Sequence, residues 1–354
     1  MFNIGIIGAG SVSVRHINGY KQNSECNIKA IADLNVSLAG ERAKEYGIDA
    51  VYQDYKELLA DEEIDAVSVV TPTFTHKEIV IEALRSGKHV LCEKPPAMNS
   101  REVRECEAAA KKYGKLLMFG FVVRFRSQVQ YLKEYIDAGF MGEIISAECG
   151  RVARCEGSEG WFLSREKGGG CLIDSAIHEL DSVLYLMNYP EPTYVLASQT
   201  FVNSDLYEKM NGKKSAWASM DKKKYERTIE SGITGFVTFK NGACLSVKAA
   251  TILNSVNTGV WLDISGSKAG ARMETSLSNY EDWLKMLELK GCDGFVEFKP
   301  CLKQTNVFND EIDHFVDCCL RGTECICKVN EAIILMDIIN AIYKTADTGK
   351  PVVF

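Results

Sequence analysis

The first third of the chain alternates short apolar runs with amphipathic segments, and that rhythm restricts the fold more than any other feature. The runs are "FNIGIIGAG", "CNIKAIADLN", "AVSVVTP", "KHVLCEKPP" and "KLLMFGFVV". Between them lie "SVSVRHINGYKQ", "SLAGERAKEYG", "HKEIVIEALRSG" and "REVRECEAAAKKYG", each with helical spacing. Gly47 and Gly87 stand where two of these helices should stop. Strands this apolar have no solvent face, so helices must cover both sides. The pattern predicts a parallel, doubly wound sheet over residues 1–122.

After residue 122 the rhythm changes. "SQVQYLKEYIDAG" reads as a helix, followed by longer alternating segments: "EIISAECGRVA", "YVLASQTFV", "ERTIESGITGFVTFKNGACLSVKAAT" and "VWLDISGSKAGARME". The Asn-Gly in "FKNGACLSV" is a strong hairpin signal. Residues 123–354 are therefore expected to form an α+β domain with a large open, mostly antiparallel sheet. Helices are expected at "DEIDHFVDCCLRG" and at about 330–347, the latter packing back towards the first domain. Residues 203–224 are the most loop-like part. An open sheet leaves one face uncovered, which predicts a homo-oligomer, dimer or tetramer.

The formal net charge of −7, with no basic stripe, argues against nucleic acid or an anionic membrane as partner. The opening "MFNIGIIGAG" lacks the pattern of a signal peptide and no apolar run is long enough to span a bilayer, so a cytoplasmic location is expected. The 13 cysteines contain no C-x-x-C pair, which favours reduced, buried thiols. The densest run, "CCLRGTECIC", is the one cluster that raises the question of a zinc site. Adjacent cysteines do not readily face one ion, and Cys325 and Cys327 alternate as on a strand, so no metal site is expected there.

In "GAGSVS", Gly8 and Gly10 fill the first two places of a G-x-G-x-x-G fingerprint, with Ser11 and Val12 completing the turn and Ser13 in the third place. The first glycine permits the tight turn and the second lets backbone approach a pyrophosphate; the third serves only packing. Asp33 ends the next strand, where a carboxylate would bond the ribose hydroxyls of NAD. Asp33 also repels a 2′-phosphate and Leu34 offers no charge to bind one, so NAD(H) is favoured over NADP(H). Ligands of such sheets gather at the carboxyl ends of the strands. Those ends carry Thr71, Pro72, Glu93, Lys94 and Arg124, with His76 close behind Pro72. Lys94 is a candidate to contact a ribose or stabilise a substrate alkoxide.

"GCLIDSAIHELD" places Asp174, His178 and Asp181 at offsets 0, 4 and 7, one face of a helix. A metal site, an acid–base pair and a structural hydrogen bond all fit that spacing. The metal reading is disfavoured, because "HELD" is not H-E-x-x-H and the chain has only five histidines, none close by. Gly168 to Gly170 would let backbone approach a ligand, and Trp161 would add an aromatic wall.

"GIIGAGSVSVRH", "THKEIVIEALRSGKHVLCEKP", "GFMGEI", "GGGCLIDSAIHELD" and the tail "NEAIILMDIINAIYKTADTGKPV" together resemble the glucose-fructose oxidoreductase and inositol dehydrogenase family (Gfo/Idh/MocA) over nearly the whole chain. The resemblance implies a Rossmann domain, a second domain with a large sheet, a nicotinamide cofactor, and a polyol or sugar substrate. Lys94 matches the family's E-K-P lysine, and Asp174 and His178 its D-x-x-x-H pair. On this reading His178 takes the proton of a secondary alcohol, Asp174 orients the imidazole or contacts substrate, and Lys94 stabilises the alkoxide. Arg124 and Trp161 join them as substrate-binding candidates. The expected activity is hydride transfer between nicotinamide and a cyclitol, sugar or sugar derivative. Transient sugar oxidation by tightly held NAD, and a non-catalytic nicotinamide sensor, are the alternatives.

Overall fold

The computed structural model describes residues 1–154, 159–202, 225–253, 255–275, 282–290, 294–303 and 305–354. The loop-like stretch 203–224 lies outside the described residues. The chain divides into two compact units, Met1–Phe125 with Asn306–Ile333, and Arg126–Thr305 with Ile334–Phe354. Residues 306–333 thus belong with the first unit, although a division at 122 puts them in the second.

The first unit is built on a six-stranded parallel sheet. Its strands are β1 (Phe2–Ile7), β2 (Cys26–Ala32), β3 (Ala50–Tyr52), β4 (Ala66–Val69), β5 (His89–Glu93) and β6 (Leu117–Gly120). They lie in the order β3-β2-β1-β4-β5-β6. Every residue of β4 and β6 is buried, as strands with helices on both faces require. The intervening helices are α1 (Ser13–Gln22), α2 (Val36–Tyr46), α3 (Tyr55–Leu59), α4 (Thr73–Arg85) and α5 (Ser100–Tyr113). Gly47 stops α2 in the left-handed conformation, as the sequence predicts, and Gly114 stops α5 in the same way. β3 and α3 went unread because three- and five-residue elements show no periodicity.

Helices α6 (Ser127–Asp137) and α7 (Ile177–Leu186) belong to the second unit, and the next helix, α8, completes the first. α8 (Val307–Arg321) approaches α1 so closely that a Cβ on Gly19 would stand 2.8 Å from Ile312 Cγ1. Asn23 donates to Asp313 (2.7 Å) and Arg321 pairs with Glu25 (2.6 Å) along the same seam.

The second unit carries a nine-stranded sheet. Its strands are β7 (Ile144–Val152), β8 (Pro192–Thr200), β9 (Gly232–Phe239), β10 (Cys244–Ala250), β11 (Gly259–Gly266), β12 (Ala269–Thr275), β13 (Asp282–Leu289), β14 (Phe295–Phe298) and β15 (Val352–Val353). The order is β14-β13-β12-β11-β7-β10-β9-β8-β15, and only β7 and β10 pair in parallel. The predicted hairpin is present: β9 and β10 join through Asn241 and Gly242, the latter at φ +88°. One sheet face is buried through residues such as Val195, Val237, Leu245, Leu262 and Met286. The other carries Glu148, Asp263 and Arg272 in one cross-strand row, with exposed Leu196, Phe236, Trp283 and Leu287 on the same side. Helix α9 (Val329–Thr348) closes the chain before β15.

"GCLIDSAIHELD" departs from the regular helix expected. Cys171–Ala176 form a π-helical turn, and α7 starts only at Ile177. The wider turn disrupts the 3.6-residue register on which the offsets 0, 4 and 7 rest.

Candidate functional site

The nucleotide edge forms where β1, β2, β4 and β5 end. Gly8 has φ +107°, and a Cβ there would lie 2.6 Å from the Val70 carbonyl oxygen, so only glycine fits. At Gly10 a Cβ would meet nothing within 4 Å. The backbone at the start of α1 is therefore open to the close approach of a pyrophosphate. Ser11 is exposed and Val12 half-buried at the helix start. Ser13 is buried and its hydroxyl donates to Gly10 O at 2.7 Å, so serine stitches the turn that a glycine would merely permit.

Asp33 does more than the sequence suggests. Its Oδ2 accepts from the Ala9 amide (2.7 Å) and its Oδ1 from the Asn35 amide (2.7 Å). The half-exposed carboxylate therefore braces the glycine turn, while each oxygen keeps a second lone pair for a ribose hydroxyl. Leu34 beside it is 85% exposed, an apolar neighbour with nothing to bind a 2′-phosphate. These residues fit a dinucleotide: Gly8, Gly10, Ser11 and Val12 for the pyrophosphate, Asp33 for the ribose.

Thr71 and Pro72 follow β4, with the Thr71 methyl against Gly8. His76 is fully buried, with Nδ1 2.8 Å from Pro95 O and Nε2 2.8 Å from Thr71 O. Burial lowers its pKa. The ring ties the end of β4 to the E-K-P turn, so its place is a brace behind the edge. Lys94 is half-buried on that turn, its peptide to Pro95 is cis, and its amide donates to Glu93 Oε2 at 3.1 Å.

Beneath the turn lies a polar chain that sequence reading did not find. His16 Nε2 contacts Glu93 Oε1 at 2.9 Å, His16 Nδ1 lies 3.1 Å from Ser68 Oγ, and Tyr20 OH lies 2.8 Å from the same oxygen. With Glu93 ionised, Nε2–H donates to the carboxylate, and the Ser68 and Tyr20 hydroxyls complete the chain on the Nδ1 side. Burial alone would raise the Glu93 pKa, but the His16 hydrogen bond and charge and the Lys94 ammonium hold it low. Glu311 of α8 sits beside it, fully buried, with neither oxygen hydrogen-bonded among the described residues. Burial, then the Glu93 and Cys325 charges, push Glu311 well up. The two carboxyls are thus pushed apart, Glu93 held down by its partners and Glu311 pushed up by its burial and the Glu93 charge.

Arg124 departs from its expected substrate role. It is fully buried, and its Nη1 donates to Ile326 O (2.6 Å) and Glu331 (2.5 Å), with the guanidinium over the Phe121 ring. Its charge is spent on anchoring the segment that leads into α9.

In the second unit, Asp174 lies in the π turn and His178 is the second residue of α7, both half-buried. Asp181 is buried and accepts from Tyr189 OH at 2.5 Å, a scaffold role. The π turn is held by Glu230, which sequence reading also missed. Glu230 is fully buried and accepts from Tyr343 OH (2.9 Å), Cys171 Sγ (3.2 Å) and the Leu172 amide (3.3 Å). Gly170 has φ +143°, and a Cβ there would press on Tyr343 OH at 2.6 Å. Trp161 is half-buried and stacks on Phe162, ring centroids 3.9 Å apart.

Comparison with known proteins gives two family matches. Residues 2–121 match the Gfo/Idh/MocA oxidoreductase family, NAD-binding Rossmann fold, and residues 133–354 match that family's C-terminal α/β domain. The chain belongs to this oxidoreductase family, and its first unit is an NAD-binding Rossmann domain. It is 29% identical over 356 residues to D-glucoside 3-dehydrogenase of Escherichia coli K12, covering 98% of this chain and 95% of that protein. Among solved structures, aldose-aldose oxidoreductase from Caulobacter crescentus, complexed with glycerol, superposes with a TM-score of 0.83 at 23% identity, covering 100% and 99% of the two chains. Levoglucosan dehydrogenase in complex with NADH and levoglucosan gives 0.84 at 22%, covering 99% of each chain. No helix among the described residues is long and apolar enough to cross a membrane.

The Glu93–Glu311 pair makes a pH prediction. The folded Glu311 pKa lies above its unfolded value of ~4.3, so the folded state holds a proton that the unfolded state releases. Stability should therefore drain away as pH climbs above that value. Glu311→Gln abolishes this titration, so its melting temperature should gain on the wild type progressively from pH 5 to pH 8. Parallel melting curves across that range would contradict the assignment.

Proposed function

We propose that this oxidoreductase transfers hydride between nicotinamide and a secondary alcohol of a sugar, cyclitol or sugar derivative. The observation that carries the reading is the nucleotide edge itself. A glycine-only turn, an open cradle at Gly10, a braced Asp33 and the Glu93–Lys94 turn gather at the carboxyl ends of one parallel sheet. The names of its relatives support the substrate class: a glucoside dehydrogenase and, at 31% identity over 184 residues, a myo-inositol 2-dehydrogenase of Thermotoga maritima.

Bound NAD supplies the hydride acceptor or donor. This chain's residues handle the proton and the charge. His178 accepts the hydroxyl proton as the carbonyl forms, because a neutral imidazole is the side chain best matched to proton transfer near neutral pH. Asp174 orients that ring or the sugar, on a turn that Glu230 and Tyr343 hold rigid. The Lys94 ammonium stabilises the alkoxide that precedes hydride departure. Glu93, fixed by His16, keeps the lysine's turn in place. Asp33 selects NAD(H) over NADP(H) by repelling a 2′-phosphate.

We further propose a homo-oligomer, dimer or tetramer, packed through the exposed face of the nine-stranded sheet. Leu196 and Phe236 are cross-strand partners there, and Trp283 and Leu287 extend the apolar surface on β13. The polar row between them supplies the hydrogen-bonding groups that such interfaces carry. Light scattering at micromolar concentration should give a dimer or tetramer. A monomeric mass would sink this assembly.

The chemistry is tested by separating nucleotide binding from turnover. Lys94→Met and His178→Ala touch nothing in the glycine turn, so NADH binding should survive in both. Turnover on a sugar or cyclitol substrate should fall by ~10²–10⁴ for the loss of a general base. Asp174→Ala should lose less if it only orients. Near-normal turnover in both Lys94→Met and His178→Ala would return the Asp174–His178 pair to a structural role.

A further inference from the structure

The cysteine run "CCLRGTECIC", read from sequence as structural, gains a partner in the fold that the sequence reading did not connect to it. His314 precedes Cys318 by four residues on α8, so one helix face presents both. The chain then turns at Gly322 (φ +69°) and brings Cys325 back to them. His314 Nε2 lies 3.4 Å from Cys318 Sγ, and the ligand atoms of His314, Cys318 and Cys325 all lie within 4.8 Å of one another. Around a tetrahedral zinc ion, with zinc–sulfur and zinc–nitrogen bonds of about 2.3 and 2.0–2.1 Å, neighbouring ligand atoms stand roughly 3.5–3.8 Å apart. Small side-chain movements close the trio to that spacing.

We propose that His314, Cys318 and Cys325 form a three-ligand site for a thiophilic divalent ion of the zinc class, with a solvent molecule in the fourth position. His314 and the backbone beside Cys325 are held from outside the trio. The Ile326 amide donates to His314 Nε2 at 3.0 Å, which fixes the tautomer whose Nε2 carries a lone pair. The ion takes that lone pair in place of the amide. The Ile326 carbonyl is anchored by the buried Arg124, so the backbone next to Cys325 is already fixed. The Phe125 ring packs against the His314 ring, centroids 5.6 Å apart. Cys318 is buried, whereas His314 and Cys325 are half-buried, which leaves the ion a route in from solvent.

The charge balance suits a divalent cation. Binding takes Cys318 and Cys325 as thiolates, their thiol protons passing to solvent, and His314 through its Nε2 lone pair, which leaves two thiolates and one imidazole on the ion, a neutral centre. Bound there, the ion clips α8 to the segment that opens α9. No residue of the nucleotide edge takes part.

The test uses the full-length protein, reduced and handled anaerobically, titrated with Co²⁺ as the spectroscopic stand-in for zinc. One equivalent should produce the near-ultraviolet sulfur-to-cobalt charge-transfer band, and Zn²⁺ should abolish it by displacement. Cys325→Ser exchanges one small side chain for another in the segment between α8 and α9 and should fold, with the band greatly diminished. Cys318→Ser should act likewise. Cys301→Ser, an exposed cysteine elsewhere, should leave the band intact. Zn²⁺ should raise the melting temperature of the wild type and not of Cys325→Ser. The proposal is overturned if the reduced, folded wild type gives no thiolate band, or if the band survives in both Cys318→Ser and Cys325→Ser. Should the two sulfurs instead prove to be a redox couple, forming a disulfide on oxidation while the reduced protein ignores Co²⁺, that also overturns it.

Discussion

The nucleotide edge depends on the hydrogen bond from the Ala9 amide to Asp33 Oδ2. Gly8 makes a turn that only glycine can make, pressed against the Val70 carbonyl, and such a turn needs something to hold it. Asp33 supplies that hold from the end of the neighbouring strand, with its second oxygen fixed by the Asn35 amide. A charge-assisted bond to a carboxylate is about twice as strong as a neutral one. In the proposed function the same carboxylate that shapes the turn also chooses the nucleotide, which makes binding and scaffold inseparable at this residue in that proposal.

A second constraint runs below the lysine turn. His16 and Lys94 offset the burial of Glu93 and hold its carboxyl low, whereas burial and the neighbouring Glu93 charge push Glu311 up. Two buried anions side by side would cost far more than one anion and one acid. The chain of contacts ties the nucleotide helix, through His16, to the E-K-P strand, through Glu93. Residues 306–333, distant in sequence, complete the first unit along the α1–α8 seam, at Gly19–Ile312, Asn23–Asp313 and Glu25–Arg321.

Much of this was legible in the sequence, for identifiable reasons. The glycine turn, the alternating rhythm and the Asn-Gly hairpin are local signals, and the structure reproduces each. β3 and α3 were too short to show a period. The π turn at Cys171–Ala176 was hidden because its cause is remote: Glu230 and Tyr343 hold it from 58 to 170 residues away in sequence. Arg124 illustrates the same limit. A cation at a strand end resembles a ligand contact until Ile326 and Glu331 arrive from the far end of the chain to enclose it. His314 beside the cysteine run was visible at helical spacing, but only the turn at Gly322 shows that Cys325 returns to it.

The central claim is that this member of an NAD-binding oxidoreductase family reads its nucleotide through Asp33 and the turn it braces. Equilibrium titration of the unmodified protein with NADH and with NADPH, followed by fluorescence at fixed ionic strength, tests that claim most directly. The account predicts tighter binding of NADH, because the 2′-phosphate would meet a fixed carboxylate and an exposed leucine. Equal or tighter binding of NADPH would contradict it.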